Sequence, residues 1–143
     1  MSEHQDFCND LCYDLALEYQ AEIQYRQHAS QLKGCYSLFE EDMLVHADQE
    51  AHHANTLNEL IDYLGYIPST EVATVQTSTD TCEMLKQDLD AEETAITRYK
   101  ERICQARDLG LYEIEPFLMH ILKEEMHHKF DLEDLIEGEE HDE

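Results

Sequence analysis

Apolar positions recur with a three-four alternation through most of the chain, the spacing of a single buried stripe on an α-helix. Four such stripes can be traced. The first runs Leu11, Leu15, Glu18, Glu22, Tyr25, Ala29, Leu32, and the second Met43, His46, Glu50, His53, Leu57, Leu60, Leu64. The third runs Leu85, Leu89, Glu92, Ile96, Tyr99, Ile103, and the fourth Leu118, Ile121, Glu125, His128, Leu132, Leu135. A glycine follows each stripe, at Gly34, Gly65, Gly110 and Gly138, and glycine is the favoured residue just past a helix end. The pattern predicts helices over roughly 6–33, 38–64, 81–109 and 113–137.

The first and last gaps are short, so each pair of helices is expected to form an antiparallel hairpin. The middle gap differs. Residues 66–80, YIPSTEVATVQTSTD, are rich in Ser, Thr and Val and contain Pro68. Fifteen extended residues reach ~50 Å, whereas a 27-residue helix is ~40 Å long. The linker can therefore cross the whole bundle. The expected fold is all-α: one domain over 1–143, a four-helix bundle with a long crossover between the second and third helices, and a disordered acidic tail over about 138–143.

Composition supports helices and narrows the function classes. The 143 residues include only 4 Gly and 2 Pro, and 42% are apolar, which argues for long helices around a real core. A formal net charge of -25 excludes a charge-driven partnership with DNA or anionic lipid and suits the attraction of cations. It suits a saline cytoplasm equally. No apolar stretch approaches the ~20 residues of a membrane span. The opening MSEHQDF carries no signal-peptide pattern, and five cysteines, an odd number, fit reduced thiols. A cytoplasmic location is expected.

The stripes are apolar at their ends and polar in their middles. A buried unpaired charge costs several kcal/mol even after relaxation, so Glu18, Glu50, His53, Glu92, Glu125 and His128 need a common compensation. Two divalent cations would supply it, because four carboxylates balance four positive charges and two imidazoles complete the ligand set. The heights agree. Glu18 lies 16 residues before Gly34 and Glu50 lies 16 after it; Glu92 lies 18 before Gly110 and Glu125 lies 15 after it. Glu50/His53 and Glu125/His128 are Glu-x-x-His pairs, whose spacing puts both side chains on one helix face. The halves also repeat: Tyr25 follows Glu18 by seven residues, and Tyr99 follows Glu92 by seven.

Neighbouring residues leave alternatives. Glu124 and His127 form another i,i+3 pair, and His52 adjoins His53, but the helical period puts all three off the stripe, at the surface or behind the ligands. Glu93 is expected to face solvent. Glu22 is on the stripe, one turn from Glu18, and is open to a role behind the ligands, as an alternative ligand or on an iron path. His46 and Asp48 are further candidates for such a path, against ordinary core and surface roles.

At this point the chain resembles bacterioferritin and the DPS-like ferritins, over roughly residues 11–135. LEYQAEIQY, EAHHANTLNELIDYLG, EMLKQDLDAEE and ILKEEMHHKFDLE carry the likeness. The resemblance implies a ferritin-like fold with two iron ions per subunit. It implies Glu18 and Glu92 as terminal carboxylates, Glu50 and Glu125 as bridges, His53 and His128 as terminal imidazoles, and Tyr25 as a nearby electron donor. Fe(II) would be oxidised by O2 or H2O2 and stored as ferric mineral inside a homo-oligomeric shell. Two departures matter. Bacterioferritin places a haem-ligating Met directly after the second-helix Glu, where this chain has Ala51, so no haem is expected. The chain stops soon after the fourth helix with no fifth helix, which favours a 12-subunit shell over a 24-subunit one. The cysteine pair of DPS-like relatives finds only Cys8, Cys12 and Cys104 as candidates, against isolated packing thiols. Rival readings use the same ligands without storage: an erythrin-like peroxidase, a manganese catalase, a metal buffer, or a cargo protein inside another shell.

Overall fold

The computed structural model of the protein describes residues 2–141, with side chains as far as Gly138. Four helices account for most of it: α1 over Glu3–Gln31, α2 over Glu40–Tyr63, α3 over Thr81–Asp108 and α4 over Glu115–His141. Local chemistry sets their ends. The Ser2 hydroxyl accepts from the Gln5 backbone N–H at 3.1 Å and Glu3 and Asp6 lie in the first turn, so α1 begins earlier than the apolar stripe suggests. The Asp80 carboxylate caps α3 through the Glu83 N–H at 3.0 Å. Pro116 falls in the first turn of α4, where its missing N–H costs nothing.

α3 ends in a Schellman turn: Gly110 takes φ +72°, its N–H reaches Arg107 O and the Leu111 N–H reaches Ala106 O at 2.8 Å. Gly138 behaves differently. It is absent from the positive-φ glycines among the described residues, and α4 continues through it to His141. The tail expected to be disordered from 138 is therefore helical to that point, because glycine permits a left-handed turn without imposing one. Residues 142–143 lie outside the described residues. Between α1 and α2 the chain makes a turn of 3-10 helix over Gly34–Phe39, which delays the start of α2.

α1 and α2 form one hairpin, α3 and α4 the other, and α1 packs along α3. Two apolar clusters fill the ends of the bundle. Leu11, Leu15, Leu57, Ile61, Ile103, Leu118 and Ile121 anchor one; Met43, Ala47, Leu85, Leu132 and Ala29 anchor the other. The polar layer lies between them. The crossover is strapped to a single face of α1, whose residues 16, 20, 24 and 28 are one turn apart. The Ala73 N–H donates to Ala16 O at 3.1 Å, Gln20 Nε2 to Thr74 O at 2.5 Å, and the Gln76 N–H to Gln24 Oε1 at 2.8 Å. His28 Nε2 meets Gln76 O at 2.9 Å. No helix among the described residues is long and apolar enough to cross a membrane.

Candidate metal centre

The helical period brings Glu18 of α1, Glu50 and His53 of α2, Glu92 of α3, and Glu125 and His128 of α4 into one buried layer, none more than 2% exposed. Ligand atoms of Glu18, Glu50, His53 and Glu125 lie within 4.8 Å of one another, and so do those of Glu50, Glu92, Glu125 and His128. Glu50 and Glu125 belong to both groups. His53 Nδ1 stands 3.4 Å from Glu18 Oε2 and 3.3 Å from Glu125 Oε1. His128 Nδ1 stands 3.1 Å from Glu50 Oε1 and 3.3 Å from Glu92 Oε1. These separations exceed the roughly 2.7–2.9 Å of a charge-assisted hydrogen bond.

Each of the six residues accordingly presents one buried atom with no hydrogen-bond partner: Glu18 Oε2, Glu50 Oε1, His53 Nδ1, Glu92 Oε2, Glu125 Oε1 and His128 Nδ1. Orphaned buried polar atoms are rare because each costs about 1–3 kcal/mol. Six converging on one layer form a set of donors that cations would satisfy together. Carboxylate oxygen with imidazole nitrogen is a donor set for divalent iron, manganese or zinc, and the residues fit a pair of such ions.

The remaining atoms of the ligands are held from behind. Tyr25 of α1 donates its hydroxyl to Glu92 Oε1 at 2.8 Å, and Tyr99 of α3 donates to Glu18 Oε1 at 2.7 Å, so the two halves latch each other's terminal carboxylates. His53 Nε2 meets Glu124 Oε1 at 2.8 Å, and His128 Nε2 meets Gln49 Oε1. Those acceptors place the ring proton on Nε2 and leave Nδ1 facing the centre.

Crowding distorts the protonation of the metal-free centre. Burial raises Glu18 above the usual carboxylate range, and the Glu125 charge adds to it. Burial and the neighbouring carboxylates push Glu50 well up, and Glu92 rises to about 8 for the same reasons. Burial would raise Glu125 too, but the Glu50 carboxyl and the two imidazoles crowded against it hold it below its ordinary value. Burial disfavours charged imidazoles, yet the carboxylates outweigh it and lift His53 to about 11 and His128 to about 10.

Two cavities meet the layer. One, of about 210 Å³ between α1 and α3, reaches Glu18, Glu50, Glu92 and Glu125, with Gln76 of the crossover on its rim. The other, of about 500 Å³ between α2 and α4, reaches His128 and is lined by Asp42, His46 and Asp131.

The other residues singled out from the sequence sort clearly. Glu22 does not reach the centre: it is half-buried and pairs with Arg26 at 3.3 Å, because Ala21, Gln24 and Tyr25 occupy the inward face there. Asp48 also faces outward and binds Arg26 at 2.9 Å. His46 is buried and stacks on His128, ring centroids 4.2 Å apart. His52, His127 and Glu93 are exposed. No disulfide forms among the described residues; Cys8 is buried, Cys12 half-buried and Cys104 exposed. Gln49 gave no signal in the sequence, since its role depends on where α4 sets His128. Neither did the buried Arg102, which pairs with Asp14 at 2.8 Å across α1 and α3.

With this geometry in hand, comparison with known proteins is informative. Residues 8–140 match the family described as Ferritin-like domain. Among solved structures, the chain is similar to one described as a ferritin like, diiron-carboxylate protein from Bacillus anthracis str. Ames, at 31% identity and a TM-score of 0.91, covering 95% of this chain and 99% of that one. A search of curated protein sequences returns no significant match.

Proposed function

The chain belongs to the ferritin-like domain family, and from that premise we propose that it is a ferroxidase that detoxifies and stores iron. The observation that carries this reading is the convergence of six orphaned buried atoms on one mid-bundle layer. Fe(II) is the substrate and each chain takes two ions. Four carboxylates neutralise four positive charges, and their hard oxygens favour the ferric product over the ferrous substrate. Each Fe(II) gives up one electron, so a pair reduces O2 to H2O2, or H2O2 to water, with protons drawn from solvent.

The residues have distinct tasks. Glu50 and Glu125, common to both ligand groups, hold the two ions together. Glu18 and Glu92 each hold one, steadied by Tyr99 and Tyr25. His53 and His128 complete the set through Nδ1. Tyr25, a buried phenol in contact with Glu92, is positioned to supply a further electron when oxidant outlasts iron. The cavity between α1 and α3 exposes the carboxylates to an arriving cation. A 12-subunit shell of copies of this chain is the assembly this reading calls for, with the mineral inside it and the chain in the cytoplasm.

One experiment tests the whole. Fe(II) is added anaerobically, O2 or H2O2 is admitted, and ferric absorbance is followed alongside particle mass by light scattering. Saturation at two irons per chain, then mineral growth in a many-subunit particle, is the expected result. A small particle that turns over peroxide without retaining iron would replace storage with a di-metal peroxidase or catalase.

A further inference from the structure

The six inner ligands form a nearly symmetric set. Each position has one imidazole, one terminal carboxylate latched by a tyrosine from the opposite hairpin, and a share in Glu50 and Glu125. Nothing in that inner set distinguishes one ion from the other. The residues behind the imidazoles do.

We propose that the two metal positions are unequal, the His53 position holding its ion more tightly than the His128 position, because a carboxylate backs His53 and an amide backs His128. The proposal rests on the di-metal reading above. Glu124 Oε1 accepts from His53 Nε2 at 2.8 Å and is itself steadied by His120 Nε2 at 3.3 Å. Gln49 Oε1 accepts from His128 Nε2. Both acceptors select the same tautomer, but they differ in charge. A carboxylate draws the Nε2 proton toward itself, makes Nδ1 the more basic donor, and adds its own attraction for the cation. With its side chain 24% exposed, Glu124 is screened only in part. An amide offers a dipole alone.

The surroundings reinforce the difference. The His46 ring stacks on His128 at 4.2 Å and is anchored by Asp131 at 3.2 Å. His128, not His53, lines the cavity of about 500 Å³ between α2 and α4. The weakly held ion is therefore the one with open space beside it. Glu124 and Gln49 act as positioning residues that make the centre directional: the His53 ion stays, and the His128 ion exchanges through the α2/α4 face.

Redox-silent ions test this without turnover. Zn(II) would be titrated into the full-length metal-free protein by calorimetry, and Co(II) binding followed by its visible absorption. Wild-type protein should bind two ions in resolved steps. Repulsion between ions would also separate the steps, so the variants decide. Glu124→Gln should weaken the first step by about 10–100-fold, the usual cost of losing such a partner, and draw the steps together. Gln49→Glu should strengthen the second step by a similar factor. The two variants altering both steps alike, or neither, would overturn the inequality while leaving the di-metal centre standing. If Glu124→Gln fails to fold, Gln49→Glu decides alone. Absence of any binding by the wild-type protein would overturn the di-metal reading and this inference with it.

Discussion

At the scale of single residues the centre is a set of groups in electrostatic conflict. Burial and the neighbouring carboxylates hold Glu50 well above its usual pKa, so the layer disfavours its charged form. Glu50→Gln should therefore leave the metal-free fold intact, with a melting temperature equal to or above that of the wild type, since relieving buried charge is commonly neutral or stabilising. The same variant should lose the rise in melting temperature that Zn(II) gives the wild type. Thermal scans with and without Zn(II) check both halves, and a metal-free variant that unfolds early would show that Glu50 holds the fold together rather than the ions. The imidazoles give a second prediction. His53 and His128 keep their protons to about 11 and about 10 in the metal-free state, so each must lose one to bind an ion. Raising pH below those values makes that loss easier, so metal affinity should climb with pH across the neutral range. Glu92, raised to about 8, adds to the slope below that pH. Calorimetry in buffers of different ionisation enthalpy should show net proton release; a buffer-independent heat would mean that the centre is already deprotonated.

At the scale of elements, the crossover is held by a latch. His28 Nδ1 meets Asp88 Oδ2 at 2.9 Å, Gln24 Nε2 donates to Asp88 Oδ1 at 2.9 Å, and both α1 residues reach the crossover through Gln76. Burial would lower His28, but the Asp88 carboxylate outweighs it and raises the imidazole above its ordinary value. A raised folded pKa means that the folded state binds the proton more tightly. The stabilisation is then fully present below about pH 6.5 and is lost as pH rises through the higher folded value. Burial raises the Asp88 carboxyl as well, so its protonation at low pH likewise favours the folded state. His28→Ala should cost about 3–5 kcal/mol inside that window, the usual effect of breaking a buried pair, and less above it. Urea unfolding of both proteins across pH reads the difference. This latch also marks the limit of what the sequence reveals. The stripes, the helix count and the register of Glu18, Glu50, Glu92 and Glu125 are legible because a helix repeats its own geometry and glycines punctuate it. His28, Gln20 and Gln24 are not, because their partners are backbone atoms of a linker with no period. Glu22 misleads for a related reason: three-four spacing admits two faces where the stripe is wide, and only the packing of α2 against α1 selects between them. Glu124 and Gln49 likewise acquire meaning only after α2 and α4 are set face to face.

At the scale of the whole molecule, metal and charge act together. Binding only the folded state adds about 2.7 kcal/mol at a free ion concentration of 100 Kd, which for a chain of this size raises the melting temperature by about 5–10 °C. The formal charge of -25 bears on both the folded state and the capture of ions, but with opposite dependence on salt. Self-repulsion opposes the compact state, so added KCl should raise the melting temperature of the metal-free protein. Attraction of Fe(II) or Zn(II) from a distance is screened by the same salt, with a Debye length that falls from about 30 Å at 0.01 M to about 10 Å at 0.1 M. Stopped-flow capture of Zn(II) should therefore slow as KCl rises, even while the fold grows more stable. Were capture independent of KCl, only the stability effect would remain. The acid excess would then belong to life in a saline solvent, and delivery of ions would rest on the local carboxylates at the mouth between α1 and α3. A clear slowing gives the surface charge a part in function: it concentrates the substrate that the six buried ligands then hold.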